Sequence, residues 1–169
     1  DDGRVPAGSQ LPDARGLSSP LACLNEARYG IAWGAVGAAI ACLDCALEYS
    51  SAREVFGRPL TAFQLTQAKL ADLVTGVATA GLLAFRLGTL KDTGKLRPEH
   101  VSMGKRHNVR VAIDTARQAR AILGANGISM EYPVVRHMMN LESVLTYEGT
   151  EEIHALALGS ALTGHSAYR

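Results

Sequence analysis

Aromatic side chains are scarce in this chain. Three Phe, five Tyr and one Trp make up 5% of 169 residues, although 47% of the residues are hydrophobic. Burial must then come mainly from alanine, leucine and glycine, which suits closely packed helices better than a β-sandwich. Cysteine is also sparse. Cys23, Cys42 and Cys45 form an odd set that offers no disulfide framework and fits a reducing compartment. Cys42 and Cys45 have redox-like or zinc-like spacing, but no second pair accompanies them. They read as small buried side chains one turn apart in an alanine-rich helix. The five histidines are scattered without ligand spacing, so no metal is expected. Seventeen Lys and Arg against sixteen Asp and Glu leave a formal charge of +1, which argues against a nucleic-acid binder. No charge-free apolar run reaches about 18 residues and no signal-peptide pattern opens the chain, so no membrane partner is expected. The stretch Ile31–Leu43, flanked by Arg28 and Asp44, reads as a buried helix. There is no internal repeat or low-complexity tract.

Residues 1–20 differ from the rest. Proline, glycine, serine and aspartate dominate them, which predicts extended chain with one short strand around Arg4–Pro6. They read as a linker leaving a preceding β-domain, and the missing initiator methionine agrees with that. Residues 21–169 are expected to form an all-α antiparallel helix bundle of three long helices and two shorter ones. The first helix is predicted over about Leu24–Ala52, with Ala27, Ile31, Ala35, Cys42 and Ala46 at helical spacing. It stops near Phe56-Gly57-Arg58-Pro59. A second helix is expected over about Ala62–Asp92, and a third from Arg97-Pro98-Glu99 to Leu123, with proline in its first turn. Gly124-Ala125-Asn126-Gly127 interrupts the pattern. A shorter helix, about Tyr132–Leu141, precedes the segment Glu142–Gly149. Thr150 then serves as N-cap of a last helix running to about Gly164, with Glu151 and Glu152 in its first turn.

Several residues could carry chemistry. Glu148 stands just before a helix start, where desolvation and the helix's positive end would act oppositely on its proton affinity. That balance suits a base for a weakly acidic C–H bond; a solvated glutamate is the ordinary alternative. Arg53, followed by Phe56 and Gly57, could offer a fork to a phosphate and a face to a ring, or could simply favour its helix end. The turn at Gly124–Gly127 could admit a phosphate or be a plain helix breaker. Asn25 and Arg28, one turn apart, could face a ligand or solvent.

As an ordered set these features are specific. Arg53-x-x-Phe56-Gly57-x-Pro59-Leu60 with Gln64, then Leu123-Gly124-x-Asn126-Gly127-Ile128, then Tyr147-Glu148-Gly149-Thr150, resemble the acyl-CoA dehydrogenase family in order and spacing. Ala27–Gly34 and Arg136–Glu142 resemble its glutaryl-CoA dehydrogenases in particular, and the resemblance covers essentially the whole chain. It implies an FAD flavoprotein of three domains, this bundle being the carboxy-terminal one, assembled as a homotetramer. Such an enzyme works in the cytoplasm of bacteria or the mitochondrial matrix of eukaryotes. By the same resemblance Glu148 would take the α-proton of an acyl-CoA substrate while hydride leaves the β-carbon. Arg53, Phe56 and Gln64 would contact FAD across a subunit interface. Ala121, Gly124 and Ala125 occupy a further flavin-contacting turn, and Thr150 and Glu152 would contact FAD in their own subunit. Asn25 and Arg28 would lie along the CoA thioester channel, with Tyr147 and Gly149 at the acyl end. An electron-transfer flavoprotein would be the acceptor.

One departure stands out. Many relatives carry Gln-x-x-Gly-Gly where this chain has Ala121-Ile122-Leu123-Gly124-Ala125, so a side-chain hydrogen bond to flavin from position 121 is lost. The resemblance implies oxidation and decarboxylation of glutaryl-CoA to crotonyl-CoA. The alternatives are a dehydrogenase for another short acyl-CoA, or a non-catalytic helical assembly domain when the chain is isolated, without bound flavin.

Overall fold

The computed structural model describes residues 2–167. Five helices follow in order: α1 (Ser18–Ala52), α2 (Gln64–Asp92), α3 (Pro98–Ile122), α4 (Pro133–Thr146) and α5 (Glu151–Thr163). The all-α bundle expected from the sequence is the architecture found. α3 lies at its centre, packed against the other four helices. Small residues make that possible. Ala35, Ala39, Cys42 and Ala46 of α1 meet Val109, Ala112, Ile113, Ala116 and Ala119 of α3, and Val134 and Leu141 of α4 close the cluster. Side chains this short bring helix axes close, so the core needs few aromatics. Cys42 is fully buried, and burial pushes its thiol up to about 12, well away from the reactive thiolate.

Helix boundaries depart from expectation in three places. α1 begins at Ser18, six residues before Leu24, because Pro20 falls in the first turn, where no amide hydrogen is needed for the ladder. No strand forms at Arg4–Pro6; a single 3-10 turn covers Ala7–Ser9. α4 continues past Leu141 to Thr146, carried by Val144 and Leu145 on the same apolar stripe as Leu141. Between α1 and α2 lies a hairpin the sequence reading missed: β1 (Glu54–Val55) pairs antiparallel with β2 (Arg58–Pro59). Its two central residues, Phe56 and Gly57, have φ 54 and 74, the left-handed pattern of a type I′ turn.

By length and composition alone, α1 and α2 are apolar enough to cross a membrane. In the bundle their small-residue faces pack inward, while Trp33, Ile40, Leu47, Val74, Leu82 and Phe85 face outward. After α3, Gly124 takes the left-handed turn (φ 61), and Ala125 is not among the positive-φ positions, which is how an alanine fits there. Gly127 is different: a Cβ there would run into the Arg120 carbonyl at the end of α3. Gly127→Ala is expected to lower stability by roughly 1–3 kcal/mol, with Ala125→Gly as a milder control. Thermal melts of the two variants check this, and a wild-type melting temperature for Gly127→Ala would show that the close approach is absent.

Candidate active site

The chain reverses between α4 and α5 through two consecutive left-handed residues, Glu148 (φ 57) and Gly149 (φ 94). A non-glycine residue there costs about 1–2 kcal/mol, so surrounding contacts must hold it. Three sources supply them. Arg28 of α1 donates through Nε to the Glu148 carbonyl at 2.7 Å. Lys105, in the second turn of α3, donates through Nζ to the Gly149 carbonyl at 2.7 Å and reaches the Leu145 carbonyl at 3.5 Å. Thr150 caps α5, its hydroxyl oxygen accepting from the Ile153 amide at 3.4 Å. Glu151 in that first turn pairs with Arg106 at 3.1 Å and Arg110 at 3.0 Å, fastening α5 to α3.

The carboxylate of Glu148 is left free by these bonds. Its Oε2 is buried and has no hydrogen-bond partner among the described residues. Buried polar atoms are nearly always satisfied, so such an oxygen is one a ligand would complete. Beside it, His154 of α5 is 1% exposed, and its ring approaches within 3.1 Å of where a Gly149 Cβ would stand. Gly149 is thus required twice, for its φ and for the space. Burial, with the Lys105 and Arg28 cations adding to it, pushes His154 down to about 4; the backbone of Glu148 and Gly149 pulls the other way. The ring is therefore neutral at pH 7.

A groove of about 580 Å³ between α1 and α4 runs up to this loop. Ala27, Gly30, Ile31 and Gly34 line one wall, and Val144 and Tyr147 the other, so Tyr147 carries the groove to the residue next to Glu148. Asn25 sits elsewhere, in a smaller hollow of about 280 Å³ with Leu96 and Arg97. Arg28 is committed to the loop backbone, a contact the sequence reading did not foresee. Lys105 and His154 were not singled out at all.

The remaining candidates gather at the other end of α1. Arg53 is its C-cap residue, and Phe56 on the hairpin tip is 92% exposed. Arg53 shares a hollow of about 290 Å³ with Asn126 and Tyr49, whose hydroxyl accepts from Asn126 Nδ2 at 3.0 Å. Ala121, Gly124 and Ala125 lie exposed beside it in sequence, and Gln64 is exposed at the start of α2. Glu152 is exposed at the start of α5, where a hydrogen bond from Thr150 holds its carboxyl below the usual range.

A helical bundle with a carboxylate loop between its last two helices defines the class, and comparison with known proteins gives the family. The family model for the acyl-CoA dehydrogenase C-terminal domain matches residues 14–163. The chain belongs to the acyl-CoA dehydrogenase family. It is 37% identical over 163 residues to the mitochondrial short-chain specific acyl-CoA dehydrogenase of Bos taurus, covering 96% of this chain and 40% of that protein. Among solved structures, a glutaryl-CoA dehydrogenase from Mycobacterium smegmatis superposes with TM-score 0.96 at 57% identity, covering 98% of this chain and 43% of that one. One from the same organism in complex with FADH2 gives 0.97 at 54%, with coverage of 100% and 44%. The chain thus spans about two-fifths of the relatives it matches.

The buried neutral histidine sets a pH dependence. His154 takes up its proton near 6.5 when unfolded and near 4 when folded, so the unfolded chain binds more protons between those values. Stability is then lost as pH falls from about 6.5 towards 4, by roughly 2–4 kcal/mol from this group. Denaturant titrations across that window should show the loss, and His154→Gln should flatten it. An unchanged slope in the variant would remove His154 as the cause.

Proposed function

We propose that the chain is the base-bearing carboxy-terminal domain of an FAD-dependent acyl-CoA dehydrogenase that acts on glutaryl-CoA, with Glu148 as the catalytic base. The observation that carries this reading is the buried, unpartnered Oε2 of Glu148 on a clamped left-handed turn at the end of an apolar groove. A carboxylate held that way is poised to take a proton from carbon, since Oε2 has no hydrogen-bond partner among the described residues. The groove wall of Ala27, Gly30, Ile31 and Tyr147 excludes water along a thioester's acyl chain. FAD, when bound, supplies the acceptor for the β-hydride and the hydrogen bonds that stabilise charge on the thioester oxygen. Loss of CO2 from the oxidised acyl group, with a proton taken up at the carbon that lost it, would then give crotonyl-CoA, and an electron-transfer flavoprotein would accept the two electrons of the oxidation step.

The residues present fit a flavin. Phe56 holds a left-handed conformation at an exposed tip, a strain with no packing reward among the described residues, and it stands three residues from the Arg53 guanidinium. Arg53 and Phe56, with Gln64, Ala121, Gly124 and Ala125, would hold the phosphate and ring portions. Thr150 and Glu152 would meet the cofactor bound beside Glu148. These two sets cannot serve one cofactor. Arg28 and Arg53 lie 25 positions apart on one helix, about 37 Å at 1.5 Å per residue, farther than a dinucleotide reaches. The hairpin end would therefore contact a flavin whose base is in another copy, which fits the assembly of at least two chains that the homotetramer reading requires. The outward apolar faces of α1 and α2 supply surface for such assembly.

Those same faces favour a second reading, a helical assembly domain without flavin of its own when isolated. A bound-flavin spectrum on the purified 169-residue chain would exclude it. For the main reading, Glu148→Gln in the intact enzyme is expected to keep FAD and lose about 100- to 10,000-fold in kcat with glutaryl-CoA and an artificial electron acceptor. Normal turnover in that variant would overturn the base assignment. CO2 release from glutaryl-CoA, measured beside butyryl-CoA oxidation, separates the decarboxylating enzyme from a short-chain one.

A further inference from the structure

Lys105 is the buried residue the proposed chemistry leaves unexplained. Its side chain is 1% exposed, among the largest fully buried in the protein, and no carboxylate pairs with it among the described residues. Taking an ammonium out of water costs several kcal/mol, and a leucine or methionine would fill the space between helices without that cost. What the ammonium contacts is specific. Leu145 lies in the last turn of α4, where carbonyls lack helical partners, and Gly149 lies one residue before the cap of α5. The two carbonyls bracket Glu148 in sequence, and one cation holds both.

We propose that Lys105 is the positioning residue of the catalytic base: by binding the Leu145 and Gly149 carbonyls it fastens both sides of the Glu148 turn and fixes where the carboxylate points. The inference rests on the reading of Glu148 as base. Every charged or titratable group near the ammonium comes from a different element: Arg28 from α1, Glu148 from the turn, His154 from α5. Burial, with Arg28 adding to it, pulls Lys105 down to about 8, while Glu148 pulls it up, so the cation is desolvated and within electrostatic reach of the base. His154 stays neutral beside it and adds no charge to compete for the same carbonyls. A cation near the C-terminal end of α4 also has the favourable sign for that helix's dipole.

The test uses the intact, FAD-loaded enzyme with glutaryl-CoA and an artificial electron acceptor, each rate expressed per bound flavin. Lys105→Met keeps the length of the side chain and removes the donor; kcat is expected to fall about 100-fold, the usual consequence of a base displaced by about 1 Å. KM and flavin content should stay within about threefold, because Lys105 itself neither lines the groove nor stands among the flavin-contacting positions. Lys105→Gln keeps an N–H donor for one carbonyl and should recover part of the lost kcat, and it also serves if the methionine variant fails to fold. Wild-type kcat per flavin in Lys105→Gln and in any folded Lys105→Met would overturn the inference. So would losses that only track missing flavin or unfolded protein. Glu148→Gln, run alongside, separates the two claims. If it retains turnover, the base reading itself has failed; if it is inactive while the Lys105 variants are normal, only the positioning role has.

Discussion

Two left-handed residues in a row, one of them a glutamate, make an expensive turn, and what maintains it is a pair of cations acting on backbone oxygens. Arg28 reaches across from α1 to the Glu148 carbonyl, and Lys105 reaches out of α3 to the carbonyl of Gly149. Charge-assisted hydrogen bonds are roughly twice as strong as neutral ones, and inside a low-dielectric bundle they strengthen further. That is enough to offset an αL glutamate. The turn is thereby tied to two different long helices, so its geometry follows the bundle and not the loop. Gly149 could not be replaced without pushing aside the His154 ring or the Arg28 guanidinium, which stands 3.4 Å from its Cβ position.

α3 organises this from the centre. Gly104, Lys105 and Asn108 stand within one turn or so, and each serves a different neighbour. Gly104 lets Leu87 of α2 close in, since a Cβ there would overlap that buried side chain. Asn108 donates to the Ala32 carbonyl of α1 at 3.0 Å and the Ala80 carbonyl of α2 at 3.1 Å, joining both outer helices through one amide. Lys105 reaches the α4–α5 turn through the Leu145 and Gly149 carbonyls. A core of alanines tolerates these polar insertions because each finds backbone acceptors at close range; bulky apolar neighbours would hold the carbonyls out of reach.

How much of this was legible in the sequence depended on whether the signal was local. The ends of α1, α2 and α3 follow glycine and proline, and the cap at Thr150 follows its hydroxyl and the acids after it; those were read within a residue or two. Pro20 was misleading because proline breaks a helix interior yet suits a first turn. The hairpin at Val55–Arg58 was missed because its strands are two residues each, too short for any alternation. At the candidate site, Glu148 stood out only through the order of motifs around it. Lys105 carried a signal that went unused: Val101, Lys105, Asn108 and Ala112 fall at spacings of four, three and four, so a lysine occupies the buried stripe of α3. Its partners are backbone carbonyls 40 and 44 residues away, which no side-chain pattern marks.

The division between backbone and side chain at this turn bears directly on the proposed chemistry. A carboxylate paired with a guanidinium or ammonium has its oxygens occupied before any ligand arrives. Here both cations spend their hydrogen bonds on carbonyl oxygens, and Oε2 of Glu148 keeps none. The bonds that hold the turn thereby act on its backbone and not on the side chain. Strong charge-assisted bonds fix the backbone, while Oε2 of Glu148 is buried with no hydrogen-bond donor among the described residues. If the same cations had been turned onto the carboxylate, its oxygens would be occupied and the backbone would lose its two anchors. A loop held by its carbonyls can be both rigid and reactive, which is what abstraction of a weakly acidic proton demands.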